Sequence, residues 1–346
     1  MSRVDAGRIL KAVDPYAWRV ADPAARALRA VAGRRGGAAG GDAPLIVRPG
    51  GMGDLIMCMV ALEEMGRDPC AFRWLLERRS MGWAAVTGLD AVAYDAAPRA
   101  IAGLAGRHAL VINTEQRFGL AHGVARAACA PGGRVVAFAT NRAAPAADVR
   151  VPYDPLDTHE SVAFSRLFAE ALGGAPLDAP PPRGRRRPAG GRPVVAISGT
   201  EAASRAFPAE AWSAWAAGFH PGSPLAVVCA PADEPLGRAV AASRDADVVC
   251  GSLAGACAAI AAAPEVLTVD GGPVHIASYF GVPTRVVFTA GRDAKWAPLA
   301  PGSRVFARRD LPCRPCTMWG QVPPCPVGLA CKRVGADAAY EATVAG

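Results

Sequence analysis

The sequence predicts an α/β protein of two doubly wound domains facing a cleft, and three observations carry that expectation. Strand and helix patterns alternate along the chain, which is the rhythm of parallel sheets with crossover helices. That alternation is interrupted once, by an arginine-, proline- and glycine-rich stretch, and then restarts. Each half also contains one apolar strand, a glycine turn and a helix: LIVRPGGMGDLIMCMVALEEM from Leu45, and VLTVDGGPVHIASYFGVP from Val266. Such a turn aims backbone N–H groups past the carboxyl end of a buried strand, where anions and ligands settle in open α/β sheets.

Taken in order, residues 1–42 read as a basic helical extension, with helices at Ile9–Trp18 and Ala24–Ala32 and a Gly/Ala-rich end. The first domain, 43–174, has strand candidates Leu45–Arg48, Phe72–Leu76, Ala91–Tyr94, Ala109–Asn113 and Arg134–Phe138. An amphipathic helix from Glu160 to Leu172, closed by glycines, ends it. Residues 175–192 read as the linker. The second domain, 193–310, has strands at Val194–Ser198, Leu225–Cys229, Val248–Cys250, Val266–Val269 and Thr284–Phe288. Helices are expected at Glu210–Ala217, Leu236–Ser243, Leu253–Ala263 and Val274–Phe280. Residues 311–346 form a cysteine-rich knuckle and tail.

At 346 residues, 51% hydrophobic and 20% charged, the chain is globular in composition and long enough for two cores. No apolar run reaches the roughly 20 residues that span a bilayer, and the first residues lack a secretory apolar core. The expected location is cytoplasmic. The net charge of +8 is concentrated in residues 1–41 and in the linker arginines, leaving the body slightly acidic. That distribution excludes a nucleic-acid groove across the body. It fits peripheral contact with an anionic inner-membrane surface or acidic partner, or simply solvated arginines on a tail and hinge.

Several residues carry candidate chemistry. In PGGMGDL, Gly53 permits close approach of a ligand, and the helix is expected to begin at Asp54. Ile56 stands where a dinucleotide fingerprint needs its third glycine, so a nicotinamide site is disfavoured. Asp54 is either a helix N-cap or a general base for an attacking hydroxyl. In VDGGPVHIA, Asp270 ends a strand, Gly271 and Gly272 offer N–H groups along the helix dipole, and Pro273 presets the first helical φ. His275 follows on the first turn, within reach of a diphosphate. Arg205, before a helix starting at Pro208, is either a phosphate partner or a surface arginine. Cys313, Cys316, Cys325 and Cys331 have the spacing C-x2-C-x8-C-x5-C in a proline-rich loop. Four thiolates suit a closed, structural zinc or iron site. Two disulfides are the alternative, which a reducing cytosol disfavours.

Together these motifs resemble glycosyltransferase family 9, the ADP-heptose transferases of lipopolysaccharide biosynthesis. The resemblance rests on Gly53-Asp54, on Asp270-Gly271-Gly272-Pro273-Val274-His275-Ile276-Ala277 with Gly281 and Pro283, on GRDAKWAPLAP (Gly291 to Pro301), and on the helix following His159. It implies a GT-B fold of two Rossmann-like domains, with the nucleotide sugar held by the C-terminal one. It further implies an inverting transfer without a catalytic metal. Asp54 would be the base, Gly271, Gly272 and His275 the diphosphate holders beside Asp270, and Arg205 the cation where the family usually has lysine. Glu234 falls near a family acidic residue that contacts the nucleotide sugar. The implied donor is ADP-heptose or another NDP-sugar, and the acceptor a lipid-linked saccharide or a protein side chain. Gly50-Gly51 and Gly271 replace hydroxyl residues of the family pattern, and Val60 replaces a common proline. A catalytically silent nucleotide-sugar-binding scaffold is therefore the competing reading. An epimerase of similar architecture is disfavoured, because its acid pair is not evident.

Overall fold

The computed structural model describes residue 14 and residues 41–95, 98–140, 147–184, 186, 190–317, 322–333 and 341–343. It divides into two compact units, Met1–Asp154 with Ser161–Asp178, and Pro155–Glu160 with Ala179–Gly346.

The first unit is built on strands β1 (Leu45–Arg48), β2 (Arg73–Leu76), β3 (Asp90–Ala93), β4 (His108–Asn113), β5 (Cys129–Phe138) and β6 (Val149–Val151). Their order is β3-β2-β1-β4-β5-β6, and every pairing is parallel. Helices α1 (Met52–Glu64), α2 (Met81–Thr87), α3 (Pro98–Ala102), α4 (Leu120–Ala128) and α5 (Glu160–Leu172) accompany it. A parallel sheet covered on both faces needs continuously apolar strands, and β1 is buried at all four of its residues. Helix α1 buries the whole run Leu55 to Leu62 for the same reason. The strand order reverses between β1 and β4, so this unit's ligand crevice lies at the carboxyl ends of those two strands.

The second unit carries β7 (Val194–Ile197), α6 (Ala209–Phe219), β8 (Leu225–Cys229), α7 (Glu234–Ala242), β9 (Ala246–Cys250), α8 (Leu253–Ala262), β10 (Val266–Val269), α9 (Gly272–Phe280), β11 (Thr284–Phe288), α10 (Asp293–Trp296), β12 (Arg304–Ala307) and β13 (Glu341–Thr343). The sheet order is β13-β12-β11-β10-β7-β8-β9, parallel except for β13, which runs antiparallel to β12. Its switch point falls between β7 and β10. Trp212 of α6, fully buried, packs with Phe207 and Trp215 over the face carrying Val195, Val227 and Leu267.

Four expectations need correction. Helix α1 begins at Met52, with Gly51 as its extended N-cap and Leu55 N–H donating to Gly51 O at 3.3 Å. Gly53 is therefore helical, and Asp54 is the third residue of the helix instead of its cap. Strands β6, β12 and β13 were not anticipated: β6 and β13 have three residues each, and β12, RVFA, begins with an exposed arginine and is followed by no glycine turn and helix. The linker arginines are not all solvated. Arg183 is buried, its N–H donates to Leu299 O at 2.8 Å, and its guanidinium and that of Arg186 lie 5.9 and 4.2 Å from the Tyr279 ring. An aromatic face recovers part of what a desolvated cation loses. Finally, Pro155–Glu160 belongs to the second unit, although the helix it leads into belongs to the first.

The expected helices at Ile9–Trp18 and Ala24–Ala32 lie outside the described residues, apart from Asp14. That carboxylate is buried and accepts from Gly119 N–H at 2.7 Å and Leu120 N–H at 2.8 Å. It caps α4, whose own N-cap residue Gly119 has no side chain to do so.

Candidate functional site

In the first unit the site grows from Arg48, the last residue of β1. Its side chain is buried and folds back over Gly50, where a Cβ would stand 2.3 Å from Arg48 Nη2. A hydroxyl residue at position 50 would occupy the space the guanidinium needs. Arg48 Nη1 donates to Thr114 O at 2.8 Å and to Gln116 Oε1 at 3.0 Å. Arg48 Nη2 lies 3.4 Å from Asp54 Oδ2 and 3.6 Å from Glu115 Oε2. One buried cation thus serves two carboxylates. Asp54 keeps 23% of its side chain exposed, whereas Glu115 has 4%. Burial pushes the Glu115 carboxyl above its ordinary range, against the opposing pull of Arg48 and of N–H donors from Arg117 and Phe118; the Asp54 charge adds to the rise. Asp54 is the accessible member of the cluster, on the first turn of a helix whose dipole favours a negative charge.

In the second unit Arg205 and Asp270 meet at the switch point. Arg205 Nη2 donates to Asp270 Oδ2 at 3.2 Å, and both side chains are largely buried. The same carboxylate accepts from Thr289 Oγ1 at 3.3 Å and from Gly291 N–H at 3.2 Å. Gly199 holds φ at +69° directly under Arg205, whose Cδ would be 2.9 Å from a Cβ there. Beside the pair, α9 starts at Gly272 with Gly271 as N-cap and no side-chain cap. A Cβ on Gly271 would approach Ser198 Oγ to 2.9 Å. That hydroxyl is buried with no hydrogen-bond partner among the described residues. It stands where the family pattern would bring a hydroxyl from position 271. His275 is buried on the first turn of α9.

Other predicted residues fall elsewhere. Glu234 opens α7 and is engaged by Arg238 at 2.6 Å. It lines a groove of about 530 Å³ between α7 and edge strand β9, which neither Arg205, Asp270 nor His275 lines. Its neighbour Asp233 instead accepts a hydrogen bond from Thr200, in the loop that follows β7. The four knuckle cysteines are free thiols. Burial raises the Cys316 and Cys331 thiols, the charges of other knuckle cysteines raise them further, and Arg314 opposes the rise. Among the described residues no three His, Cys, Asp or Glu side chains are gathered closely enough to hold a metal. Met318 to Gln321, inside the knuckle, lie outside the described residues.

The last two family elements converge. Lys295 Nζ, in KWAP, meets Glu160 Oε1 at 2.9 Å, with 1% of each side chain exposed. His159 Nε2 lies 3.1 Å from Ala297 O. Burial depresses the His159 pKa to about 4; the Ala297 carbonyl opposes that and the His275 charge adds to it.

Residues 161–322 match the model of glycosyltransferase family 9 (heptosyltransferase). Over those residues, somewhat less than half of its length, the chain is similar to that family. Its fold is GT-B. The E. coli heptosyltransferase WaaC with ADP is 18% identical, with a TM-score of 0.61 over 74% of this chain and 90% of that one. The same enzyme with ADP-2-deoxy-2-fluoro heptose gives 19%, 0.57, 74% and 96%. E. coli ADP-heptose lps heptosyltransferase II gives 16%, 0.61, 77% and 90%. No curated protein matches the chain. At such identities the likeness to solved structures establishes the fold alone. Arg48, Glu115, Thr289 and Ser198 were missed from sequence. The available signal was a polar residue just at the carboxyl end of an apolar strand, which all four share.

Proposed function

We propose that this protein is a family 9 glycosyltransferase that moves a heptose or related sugar from ADP-heptose, or another NDP-sugar, to an acceptor hydroxyl with inversion and without a catalytic metal. The observation that carries the reading is Arg205, fixed by Asp270 beside the uncapped Gly271–Gly272 start of α9. A helix start and a guanidinium together make an anion site. In the reaction the acceptor oxygen attacks the anomeric carbon and the bond from that carbon to the diphosphate oxygen breaks. The acceptor proton passes to the Asp54 carboxylate. Arg205, the N–H groups at Gly271 and Gly272, and His275 take up the charge of the departing diphosphate. Asp270 serves by orienting Arg205, since its own charge would repel phosphate.

The acceptor is a lipopolysaccharide-core saccharide or a protein side chain. The excess of basic residues in the first 41 suits an anionic membrane surface at the cytoplasmic side. Among the described residues no helix is long and apolar enough to cross a membrane. We propose a structural zinc or iron at Cys313, Cys316, Cys325 and Cys331 on the strength of their C-x2-C-x8-C-x5-C spacing; the described side chains are not gathered closely enough to hold it as they stand, so binding would draw the loop together, and such an ion would supply no chemistry at the sugar. The glycines that favoured a silent scaffold have a steric reason: Gly50 makes room for Arg48 and Gly271 for Ser198.

The test is Asp54→Asn, assayed with labelled ADP-heptose and a saccharide acceptor. Transfer should fall by about 100-fold or more, the scale of a lost general base, with ADP binding retained. Normal turnover in that variant would refute the base assignment.

A further inference from the structure

The cysteine loop grips both sides of the Arg205–Asp270 pair. At one end, between Cys313 and Cys316, Arg314 donates through Nε to Thr289 O and through Nη2 to Gly291 O at 3.0 Å. Cys316 N–H donates to Ala290 O at 2.9 Å. Three consecutive carbonyls are thereby held by the loop. The two outer residues of that triplet, Thr289 and Gly291, are the ones whose hydroxyl and N–H hold the Asp270 carboxylate. At the other end, immediately after buried Cys331, Lys332 Nζ donates to Ala206 O at 2.5 Å and lies 4.9 Å from the Phe207 ring. Ala206 directly follows Arg205.

We propose that Arg314 and Lys332 are positioning residues that set the Arg205–Asp270 pair for binding a diphosphate, making the cysteine loop a clamp on the anion site. The inference rests on the function proposed above and goes further, because it assigns roles to two residues that touch no substrate. A gap of a few tenths of an ångström decides whether the Arg205–Asp270 contact stays a hydrogen bond, since that contact is already 3.2 Å long. Releasing either carbonyl grip frees one side of it. Arg205 then loses a fixed aim, and a mobile guanidinium binds phosphate less tightly because ordering must occur on binding.

The experiment measures the dissociation constant of inorganic pyrophosphate and of ADP by titration calorimetry on the full chain. The variants are Arg314→Gln, Lys332→Met, Arg314→Lys and, as a charge control, Arg308→Gln, whose partner is Asp310 on the surface. Arg314→Gln and Lys332→Met should each weaken both ligands by about tenfold, the size of one lost charge-assisted hydrogen bond. Arg314→Lys, keeping the charge and one donor, should recover part of that loss, and Arg308→Gln should match the wild type. Thermal melting of each variant is recorded alongside, and the proposal requires weakened binding in variants that melt within a few degrees of wild type. Wild-type affinity in both variants overturns the clamp alone. Equal weakening by Arg308→Gln overturns it as well, leaving a bulk charge effect. A wild-type chain that binds neither ligand overturns the diphosphate site and this inference with it.

Discussion

Replacing Glu160 with glutamine is the sharpest available test of how the second unit is held together. Glu160 and Lys295 are both essentially inaccessible, with Nζ and Oε1 at 2.9 Å. At an effective dielectric of about 20, two unit charges at that distance attract by about 6 kcal/mol, most of which repays their removal from water. Removing one charge takes its carboxylate from a buried ammonium, so Glu160→Gln should cost about 3 kcal/mol, and Glu160→Ala nearer 5. The double variant Glu160→Leu/Lys295→Met removes both charges and keeps the volume, so it should lie within about 1 kcal/mol of wild type. Urea unfolding followed by tryptophan fluorescence reads this, with Trp296, whose ring lies 4.8 Å from Lys295 Nζ, as one of seven reporters. A Glu160→Gln cost below about 1 kcal/mol would mean that water reaches the pair. A double variant as unstable as the single ones would mean that the charges themselves are net stabilising.

Two further outcomes are expected. His159 has a folded-state pKa of about 4 against an ordinary 6.5, so the fold favours its neutral form. Its contribution is whole above pH 6.5 and is lost as pH falls toward 4, at up to about 3 kcal/mol. His159→Gln should flatten the stability profile in that window, and an unchanged acid slope would show that the imidazole is already solvated. The purified chain should carry about one zinc or iron per molecule, read by elemental analysis, with the content falling in Cys325→Ser; a metal-free protein with four titratable thiols would remove the ion from the knuckle.

The fold was legible because its signals are local. Apolar runs such as LIVR and VLTV, and the glycines that follow them, report buried parallel strands and open helix starts whatever lies elsewhere in the chain. Arg205, Asp270 and His275 could be nominated for the same reason, each sitting beside such a turn. What stayed illegible is pairing across distance. Nothing near Arg48 in sequence announces Glu115, and nothing near Asp270 announces Arg314, because those contacts exist only after the sheets have assembled. Glu234 is the opposite case: nominated by loose alignment, it pairs with Arg238 along a groove that Arg205, Asp270 and His275 do not line.

The two units repeat one electrostatic device. In each, an arginine lies at or just beyond the carboxyl end of a central strand and folds over a glycine that leaves it room, Arg48 over Gly50 and Arg205 over Gly199. In each, it meets a carboxylate near the neighbouring helix start, Asp54 at 3.4 Å and Asp270 at 3.2 Å. The burial of the carboxylates differs, and that difference suits them to different roles. Asp270 is 5% exposed and spends its oxygens on Arg205, Thr289 and Gly291, so it has little capacity left for a proton or a substrate. Asp54 is 23% exposed, and its arginine is shared with Glu115, so an oxygen remains for an incoming hydroxyl. On the proposed function, the same motif would serve as an orienting carboxylate in one unit and as a base in the other. On that reading, exchanging the two burials, more than exchanging the residues, is what would abolish transfer.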